Sequence, residues 1–417
     1  MIKHVFKIIR AQFRSNMWIL AELMVVFVAL WVMTDYFIRQ YTLYRQPVGF
    51  DIDRVYNVSL SRRPADSPQF INYPEGSEEP ERNLERIAER IRQHPDVEAV
   101  CLSSNSLPYT VSKITWQLRR DSILHEIRQF QVSPDYFRVF GITPAAGGSP
   151  DELAQRIVNP GLVMSADMAE AFFGRTNVVG EELVCEQDTM KIVAVTEPVR
   201  NDEYNREFNY AWFELLDRTR SEILNEETCM YTEITFRIRP NVEKAGFEER
   251  FMKEMRLNLQ AGNFWVSDVE CYNDIRDIYM ERNSNSNGQQ IISSVMLFLL
   301  VNVFLAVIGS FWFRVSRRKE ELGLRMAMGS TRSGLMLYIV TESLLLLLIA
   351  SLPAMLICAN IVYADVIPAS SAESPLLRFI VVSVITWLAL AVIIVLGVWY
   401  PAYRASKVAP SEALKDD

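Results

Sequence analysis

The sequence predicts a membrane protein with four transmembrane α-helices plus a large α+β extracytoplasmic domain inserted between helices 1 and 2. Four stretches are apolar over about 20 residues, the length that crosses a hydrocarbon core of about 30 Å. The long region between the first and second stretches is polar and carries mixed α and β patterns. A buried core helix of a soluble protein is the alternative for each apolar stretch, and it does not account for four of them in one chain.

The four predicted spans are residues 17–38, 291–313, 334–362 and 379–399. The second and fourth contain no charged residue. The first has a basic start but ends without a small-x-small cleavage pattern, so it is expected to be a retained anchor rather than a signal peptide. Glu22 and Glu342 are acids within spans and therefore functional candidates. Each lies near the inner end of its span, where a polar cap or an interhelical hydrogen bond is the expected role.

The distribution of Lys and Arg predicts the orientation. Basic residues are concentrated in segments 1–16, 314–333 and 400–417, which lie on one side of the four spans, and short basic loops stay in the cytoplasm. Both termini are therefore expected inside, with residues 39–290 and the short loop 363–378 outside. The region 39–290 has 41 acidic and 29 basic side chains, a net charge of −12, whereas the rest of the chain has a net charge of +4. An acidic exterior argues against nucleic acid as a partner.

The segment 1–16 has a cationic face. Lys3, Lys7, Arg10 and Arg14 recur at helical spacing, with apolar residues at the intervening positions. An amphipathic helix of this kind lies along a membrane surface, but the same pattern fits an extension of the first span into the cytoplasm. Both interpretations stay open.

The exterior region shows strand and helix patterns. Residues 55–60, 191–196 and 232–239 are rich in β-branched residues and predict strands, whereas 84–91 and 247–259 have the periodicity of amphipathic helices. Its cysteines are irregularly spaced; they are Cys101, Cys185, Cys229 and Cys271. Four cysteines allow three pairings, and free thiols are an equal alternative.

The basic loop between the second and third spans is too short for a catalytic domain. It holds six Lys or Arg, two Glu and three spaced small residues, Gly323, Ala327 and Gly329. Small residues permit close backbone approach, so the loop is suited to docking against a partner. A solvated loop would explain the Arg and Lys residues but not this spacing.

Catalytic motifs are absent from the sequence. It contains no Gly-x-x-x-x-Gly-Lys-Ser/Thr string for phosphates, no HExxH or Cys pair for a metal, and no Gly-x-Ser-x-Gly. A nucleotide-binding or metal-dependent enzyme is therefore not expected from this chain, and no catalytic residue, metal site or cofactor is assigned to it.

Two groups of motifs resemble known permeases. The first group lies in the exterior region: Val132-Ser-Pro-Asp-Tyr-Phe-Arg-Val-Phe-Gly-Ile142, Gly161-Leu-Val-Met-Ser-Ala-Asp-Met-Ala-Glu-Ala-Phe-Phe-Gly174 and Lys191-Ile-Val-Ala-Val195. It resembles the periplasmic core domain of MacB-type ABC transporter permeases, which we place at 39–290. The second group resembles FtsX-type permeases: Glu321-Leu-Gly-Leu-Arg325, Ala327-Met-Gly329, Glu342-Ser-Leu344 and the tail from Pro401 to Leu414.

The resemblance implies a permease homodimer or heterodimer in the bacterial inner membrane, driven by a separate P-loop ABC ATPase subunit that binds ATP and Mg. In this family the loop after the second span forms a coupling helix that contacts the ATPase. The positions carried over are Glu320, Glu321, Gly323, Arg325 and Gly329. The chain departs from the usual pattern at Met326 and Ser330, which makes the ATPase harder to identify. A periplasmic adaptor or substrate protein is a further expected partner.

The function that follows is mechanotransmission. The ATPase would move the coupling loop, and the spans would pass this motion to the exterior domain to export or extract a substrate. Two alternatives remain: an FtsX-like, ATPase-linked regulator of a cell-wall enzyme, and a membrane-anchored receptor without an ATPase.

Overall fold

The computed structural model describes most of the chain: residues 13–74, 76–112, 114–120, 123–157, 161–185, 188–204, 210–214, 229–282, 284–318, 321, 324–325, 328–364 and 375–405. By internal packing the chain divides into two compact units. One is the continuous region Arg45–Asn287. The other, the membrane unit, comes from the flanking segments Met1–Tyr44 and Gly288–Asp417.

Helices and strands alternate along the described residues between the first and second spans, and the last helices are long. In chain order the elements are α1 (Phe13–Arg45), β1 (Val55–Arg62), α2 (Glu79–Arg92), β2 (Val97–Ser104), β3 (Ile114–Arg120), β4 (Ile123–Val132), α3 (Tyr136–Phe140), α4 (Pro150–Arg156), β5 (Gly161–Ser165), α5 (Ala166–Phe173), β6 (Glu182–Cys185), β7 (Asp188–Thr196), β8 (Tyr210–Glu214), β9 (Thr232–Ile238), α6 (Phe247–Met255), β10 (Gln260–Ala261), β11 (Phe264–Cys271), α7 (Tyr272–Arg282), α8 (Ser284–Arg317), α9 (Arg332–Tyr363) and α10 (Pro375–Ala405).

Four helices are long and apolar enough to cross a membrane, which confirms the predicted fold class. The qualifying segments are Met17–Arg45, Gln290–Arg317, Ser333–Tyr363 and Leu376–Trp399. Their shared core includes fully buried side chains from α1, α9 and α10: Phe27, Trp31, Leu346, Leu347, Leu390 and Ile394. Residues 1–12 of the predicted segment 1–16 lie outside the described part of the chain, so the choice between its two interpretations stays open. The tail is described only as far as α10 extends.

A buried ion cluster joins α1 to α10. The guanidinium of Arg378 donates to both carboxylate oxygens of Asp35, at 2.8 and 3.2 Å, and Arg39 lies 3.2 Å from the same carboxylate. Asp35 is fully buried and each arginine is at most 7 % exposed. Removing one partner of such a buried pair costs about 3–5 kcal/mol, so this cluster holds the first and fourth spans together. The indole of Trp31 adds a hydrogen bond to Ser383 Oγ at 3.0 Å.

The region between the first and second spans is built on one large sheet. Its strand order is β10-β11-β1-β9-β2-β4-β3-β6-β7-β5-β8, and β8 also pairs with β4 in parallel. The last six strands therefore close into a ring, which we call the closed half. The first five form the open half, covered by α2 and α6. The predicted strands and helices are all present, although the helix predicted at 247–259 ends earlier, at Met255.

The two halves of the sheet meet through a short pairing between β2 and β4. Only Ser103 with Val132 and Ser104 with Gln131 are in register there. An aromatic core lies behind this junction and includes Phe130, Tyr136, Phe137, Phe140, Tyr210 and Trp212. Burial of large aromatic side chains is the main stabilising contribution at such a junction, and it compensates for the few backbone hydrogen bonds between the halves.

The described cysteines of this region form no disulfide. Cys101, Cys229 and Cys271 are all outside any disulfide bond, and the side chain of Cys185 lies outside the described part of the chain. Burial raises the pKa of the Cys101 thiol above its ordinary value, so this thiol stays protonated and inert as part of the core.

A partly buried acid also lies at the junction of the two halves. The Glu233 carboxylate accepts hydrogen bonds from Ser103 Oγ at 2.7 Å and from the Ser106 backbone N–H at 3.1 Å. Burial outweighs these hydrogen bonds and the charge of Arg128, and raises the pKa of Glu233 to about 7. The native fold therefore favours the protonated form, unlike the unfolded chain.

The stability of the domain should fall as pH rises from about 4.5 to about 7, because the native state holds the Glu233 proton more tightly than the unfolded chain does. The Glu233 contribution to this loss is on the order of 3 kcal/mol at most. Urea unfolding of a fragment covering 45–287, followed at pH 4.5 to 8, measures it. Glu233→Gln should remove this part of the pH dependence and leave the part that comes from Asp167, whose pKa burial raises to about 6. A Gln variant with the wild-type slope would contradict this assignment.

Candidate coupling site

The carboxylate of Glu342, about three turns into α9, lies between Arg314 near the end of α8 and Arg318 just after it. Arg314 Nη2 donates to Glu342 Oε1 at 2.6 Å, and Arg318 Nη1 lies 2.8 Å from both carboxylate oxygens. The Glu342 side chain is only 3 % exposed, and those of Arg314 and Arg318 are 11 and 18 % exposed. A charge inside a span needs such partners, and these contacts join the second and third spans.

The same arginine extends the contacts into the loop. Arg318 makes a two-point interaction with Glu321, with Nε at 2.8 Å from Oε2 and Nη2 at 3.0 Å from Oε1. Arg325 Nη2 then donates to Glu321 Oε1 at 2.8 Å. Arg314, Arg318, Glu321, Arg325 and Glu342 thus form one chain of ion pairs, which we call the charge network.

The charge network ends on an aromatic ring of α9. The Arg325 guanidinium lies 4.2 Å from the ring centroid of Tyr338 and 3.3 Å from its hydroxyl. Cation–π contacts of this kind contribute about 0.5–2 kcal/mol, more when they are desolvated. Burial opposes ionisation of Glu321, but the hydrogen bonds and charges of Arg318 and Arg325 keep the pKa of Glu321 below its usual value. Glu321 is therefore ionised at neutral pH.

Backbone contacts end the helical turn of the loop and begin the third span. Ser330 N–H donates to the Arg325 carbonyl at 3.0 Å, and Gly329 between them has φ +97°. This is the 6→1 hydrogen bond of a Schellman ending, which requires a left-handed residue and so favours glycine. A Cβ at Gly329 would have open space around it, so the requirement is conformational. Thr331 Oγ1 then caps α9 by accepting from Gly334 N–H at 3.2 Å.

Two apolar side chains of the loop are exposed. Leu324 is 51 % exposed and Met328 is 74 % exposed. Positions four apart lie on the same side of a helical turn, so these side chains present an apolar face. The charged side chains of Glu321 and Arg325 are occupied by the charge network instead. Leu324 and Met328 both lie outside the membrane-spanning segments.

The structure describes only part of the predicted coupling positions. Glu321 and Arg325 are brought together in the charge network, and Gly329 ends the turn. Glu320 and Gly323 lie outside the described residues. Arg325, carried over from the family resemblance as a coupling position, has intramolecular partners for its guanidinium.

The remaining intramembrane acid, Glu22 of the first span, accepts a hydrogen bond from the second span. Ser310 Oγ donates to Glu22 Oε1 at 2.5 Å. Sequence reasoning overlooked Arg314, Arg318 and Tyr338 as partners. A signal for the arginines existed, since Glu342 is the one acid of its span and the preceding basic residues are the nearest candidates to neutralise it.

Within the described ranges one group of side chains has the spacing of metal ligands. Ligand atoms of Glu248, Cys271 and Asp274 lie within 4.8 Å of one another. The group is partly exposed and belongs to the domain between the first and second spans, so it plays no part in the coupling site.

Substitution of Glu342 by Gln should destabilise the membrane unit by up to about 3–5 kcal/mol, because it removes the carboxylate paired with Arg314 and leaves Arg318 with Glu321 as its counter-charge. The melting temperature of the purified protein in detergent should fall. Glu22→Gln is the matched control: it makes the same chemical change in another span but keeps an acceptor for Ser310, so its effect should be small. Equal melting temperatures for the two variants would contradict the role given to Glu342.

Comparison with known proteins matches two family models to the chain. Residues 23–253 match the MacB-like periplasmic core domain, and residues 293–410 match the FtsX-like permease C-terminal model. The first of these covers more than half of the chain, and the second covers most of α8 and all of α9 and α10.

Among curated relatives, the macrolide export ATP-binding/permease protein MacB of Salmonella typhimurium is 23 % identical over 246 residues, which is 59 % of this chain and 37 % of that protein. The MacB protein of Bordetella avium is 24 % identical over 270 residues, covering 64 and 40 %. The matches thus span well under half of these relatives.

A solved structure, the periplasmic region of MacB from Actinobacillus actinomycetemcomitans, aligns with a TM-score of 0.35 at 11 % identity, covering 58 % of this chain and 99 % of that one.

The four span-length helices, the α+β domain inserted after the first of them and the two matched family models lead to one conclusion. The chain belongs to the MacB/FtsX-type ABC transporter permease family.

Proposed function

We propose that this chain is the permease subunit of an ATP-driven ABC transporter and that it transmits conformational change from a separate cytoplasmic ATPase to its extracytoplasmic domain, to export or extract a substrate. Family membership supports an ABC ATPase as the partner. The ATPase would bind ATP and Mg, and the permease would act as a homodimer or heterodimer. The observation that carries the proposal is the apolar face of Leu324 and Met328, next to a loop held by the charge network.

The charge network gives this face a rigid support. Arg318 contacts Glu342 of α9 and Glu321 of the loop at the same time, so a displacement of the loop is resisted at both spans. The two pairs with Glu342 have little solvent exposure and resist separation far more than exposed surface pairs do, whereas Glu321 in the loop is partly exposed. An ATPase that pushed on Leu324 and Met328 would therefore move the ends of α8 and α9 rather than bend the loop alone.

The orientation follows from the basic segments. The loop with the charge network and both termini would lie in the cytoplasm, and the domain between α1 and α8 would lie in the periplasm of a bacterial inner membrane. Its partners there would be a substrate or an adaptor protein.

Replacing the two exposed apolar residues of the loop, with Leu324→Asp and Met328→Asp together, should abolish co-purification of a P-loop ATPase from native membranes. Charges on the apolar face would have to be desolvated in the interface. Mass spectrometry of the proteins that co-purify with the tagged chain is the measurement.

Ser330→Asp is the control, since it adds a charge to the exposed end of the same loop without touching the apolar face. The ATPase should be retained in this variant. Loss of the ATPase from both variants would contradict the role of the apolar face, and absence of any ATPase with the wild type would contradict the proposed function itself.

A further inference from the structure

One loop of the domain contacts both chain segments that lead to the membrane helices. We call residues 198–204, which follow β7, the clasp loop. The entry segment, residues 46–51, follows α1, and helix α7 precedes α8. Each of these two segments makes several contacts with the clasp loop, although they are more than 200 residues apart in sequence.

The entry segment is held by a buried arginine of the clasp loop. Arg200 is 1 % exposed, and its Nη2 donates to the carbonyl oxygens of Gln46 and Pro47. Its backbone N–H donates to the Val48 carbonyl at 2.9 Å. Gly49, with φ +85°, packs directly against the Pro198 carbonyl, where a Cβ would collide. The backbone of the entry segment therefore lies in a fixed position against the loop.

Helix α7 is held by the next residues of the same loop. Arg276 Nε donates to Glu203 Oε1 at 2.8 Å, and its Nη2 lies 2.6 Å from the same oxygen. The hydroxyl of Tyr279 donates to Asp202 Oδ2 at 2.9 Å and accepts from Asn201 Nδ2 at 3.0 Å. Three consecutive residues of the loop thus contact one face of α7.

Tyr109 connects the two sets of contacts. Its ring lies 5.6 Å from that of Phe50 in the entry segment and 5.8 Å from that of Tyr279 in α7, and its hydroxyl donates to Glu203 at 3.1 Å. Tyr109 has φ +53°, a conformation that is a genuine outlier for a bulky residue. Such strain persists only where the surroundings impose it and is frequent at functional positions.

We propose that the clasp loop fixes the entry segment and α7 to each other and to the closed half, so that motion arriving through either membrane connection moves the domain as one body. Arg276 and Glu203 are the positioning residues of this device. The functional part rests on the proposed function, but the mechanical linkage between the two segments does not and can be tested without an ATPase.

Hydrogen–deuterium exchange of the full-length chain in detergent tests the linkage. Arg276→Gln changes only α7, yet amides of both α7 and residues 46–52 should exchange about tenfold faster, since a lost charged hydrogen bond has this magnitude. Tyr279→Phe is a milder variant that should produce the same paired change if Arg276→Gln fails to fold. Arg175→Gln, which disrupts the Arg175–Glu181 pair at 2.5 Å elsewhere in the closed half, is the control and should leave both segments unchanged.

A result in which α7 alone exchanges faster, with 46–52 at the wild-type rate in both variants, would overturn the inference.

A second measurement adds a nonhydrolysable ATP analogue to the chain with its co-purified ATPase. Exchange in the closed half should change in the wild type and not in Arg276→Gln. If Arg276→Gln keeps the full wild-type response, the inference is also overturned. If the wild type shows no response, the proposed function is contradicted, and the first measurement alone decides on the clasp loop.

Discussion

The carboxylate of Glu342, held between Arg314 and Arg318, is the interaction on which the membrane unit and its loop depend. An isolated charge inside a span is unfavourable. The Glu342 carboxylate is therefore stabilised only while the second and third spans stay together and keep it paired with Arg314 and Arg318. Because Arg318 also contacts Glu321, the position of the loop follows from the same pairing. The exposed side chains of Leu324 and Met328 lie in the loop that Arg318 and Glu321 connect to this pairing.

The membrane unit repeats this solution between its first and fourth spans. Asp35 and Arg378 form a two-point ion pair there, with Arg39 beside it. Between the ion pairs the contacts are largely apolar, with Phe27, Leu346 and Leu390 fully buried. Apolar packing is non-directional, so the buried charges supply specificity about which helix faces meet. Helices joined by ion pairs and apolar packing are suited to moving together as rigid elements, in agreement with the mechanical function we propose.

The sequence was informative about features that depend on local composition. Span lengths follow from apolar runs, and the strands around residues 55–60 and 232–239 follow from β-branched residues. It was uninformative where distant residues meet. The Glu321–Arg325 pair is visible in the spacing of four, but Arg318–Glu342 depends on which faces of α8 and α9 pack together. The parallel pairing of β4 with β8, which closes the ring, and the meeting of Glu203 with Arg276 depend on the complete fold. Exposure of Leu324 and Met328 was missed because their apolar character alone suggested no function.

An experimental structure of the chain in a lipid nanodisc, bound to its co-purified ATPase, would show directly whether the charge network supports the docking face. We expect the ATPase to contact Leu324 and Met328 while Arg318 remains paired with both Glu321 and Glu342, so that the loop and the two spans form one support. An ATPase bound through the Arg325 guanidinium, with Arg318 separated from Glu342, would contradict this mechanism, because the charge network would then be the docking surface rather than the structure behind it.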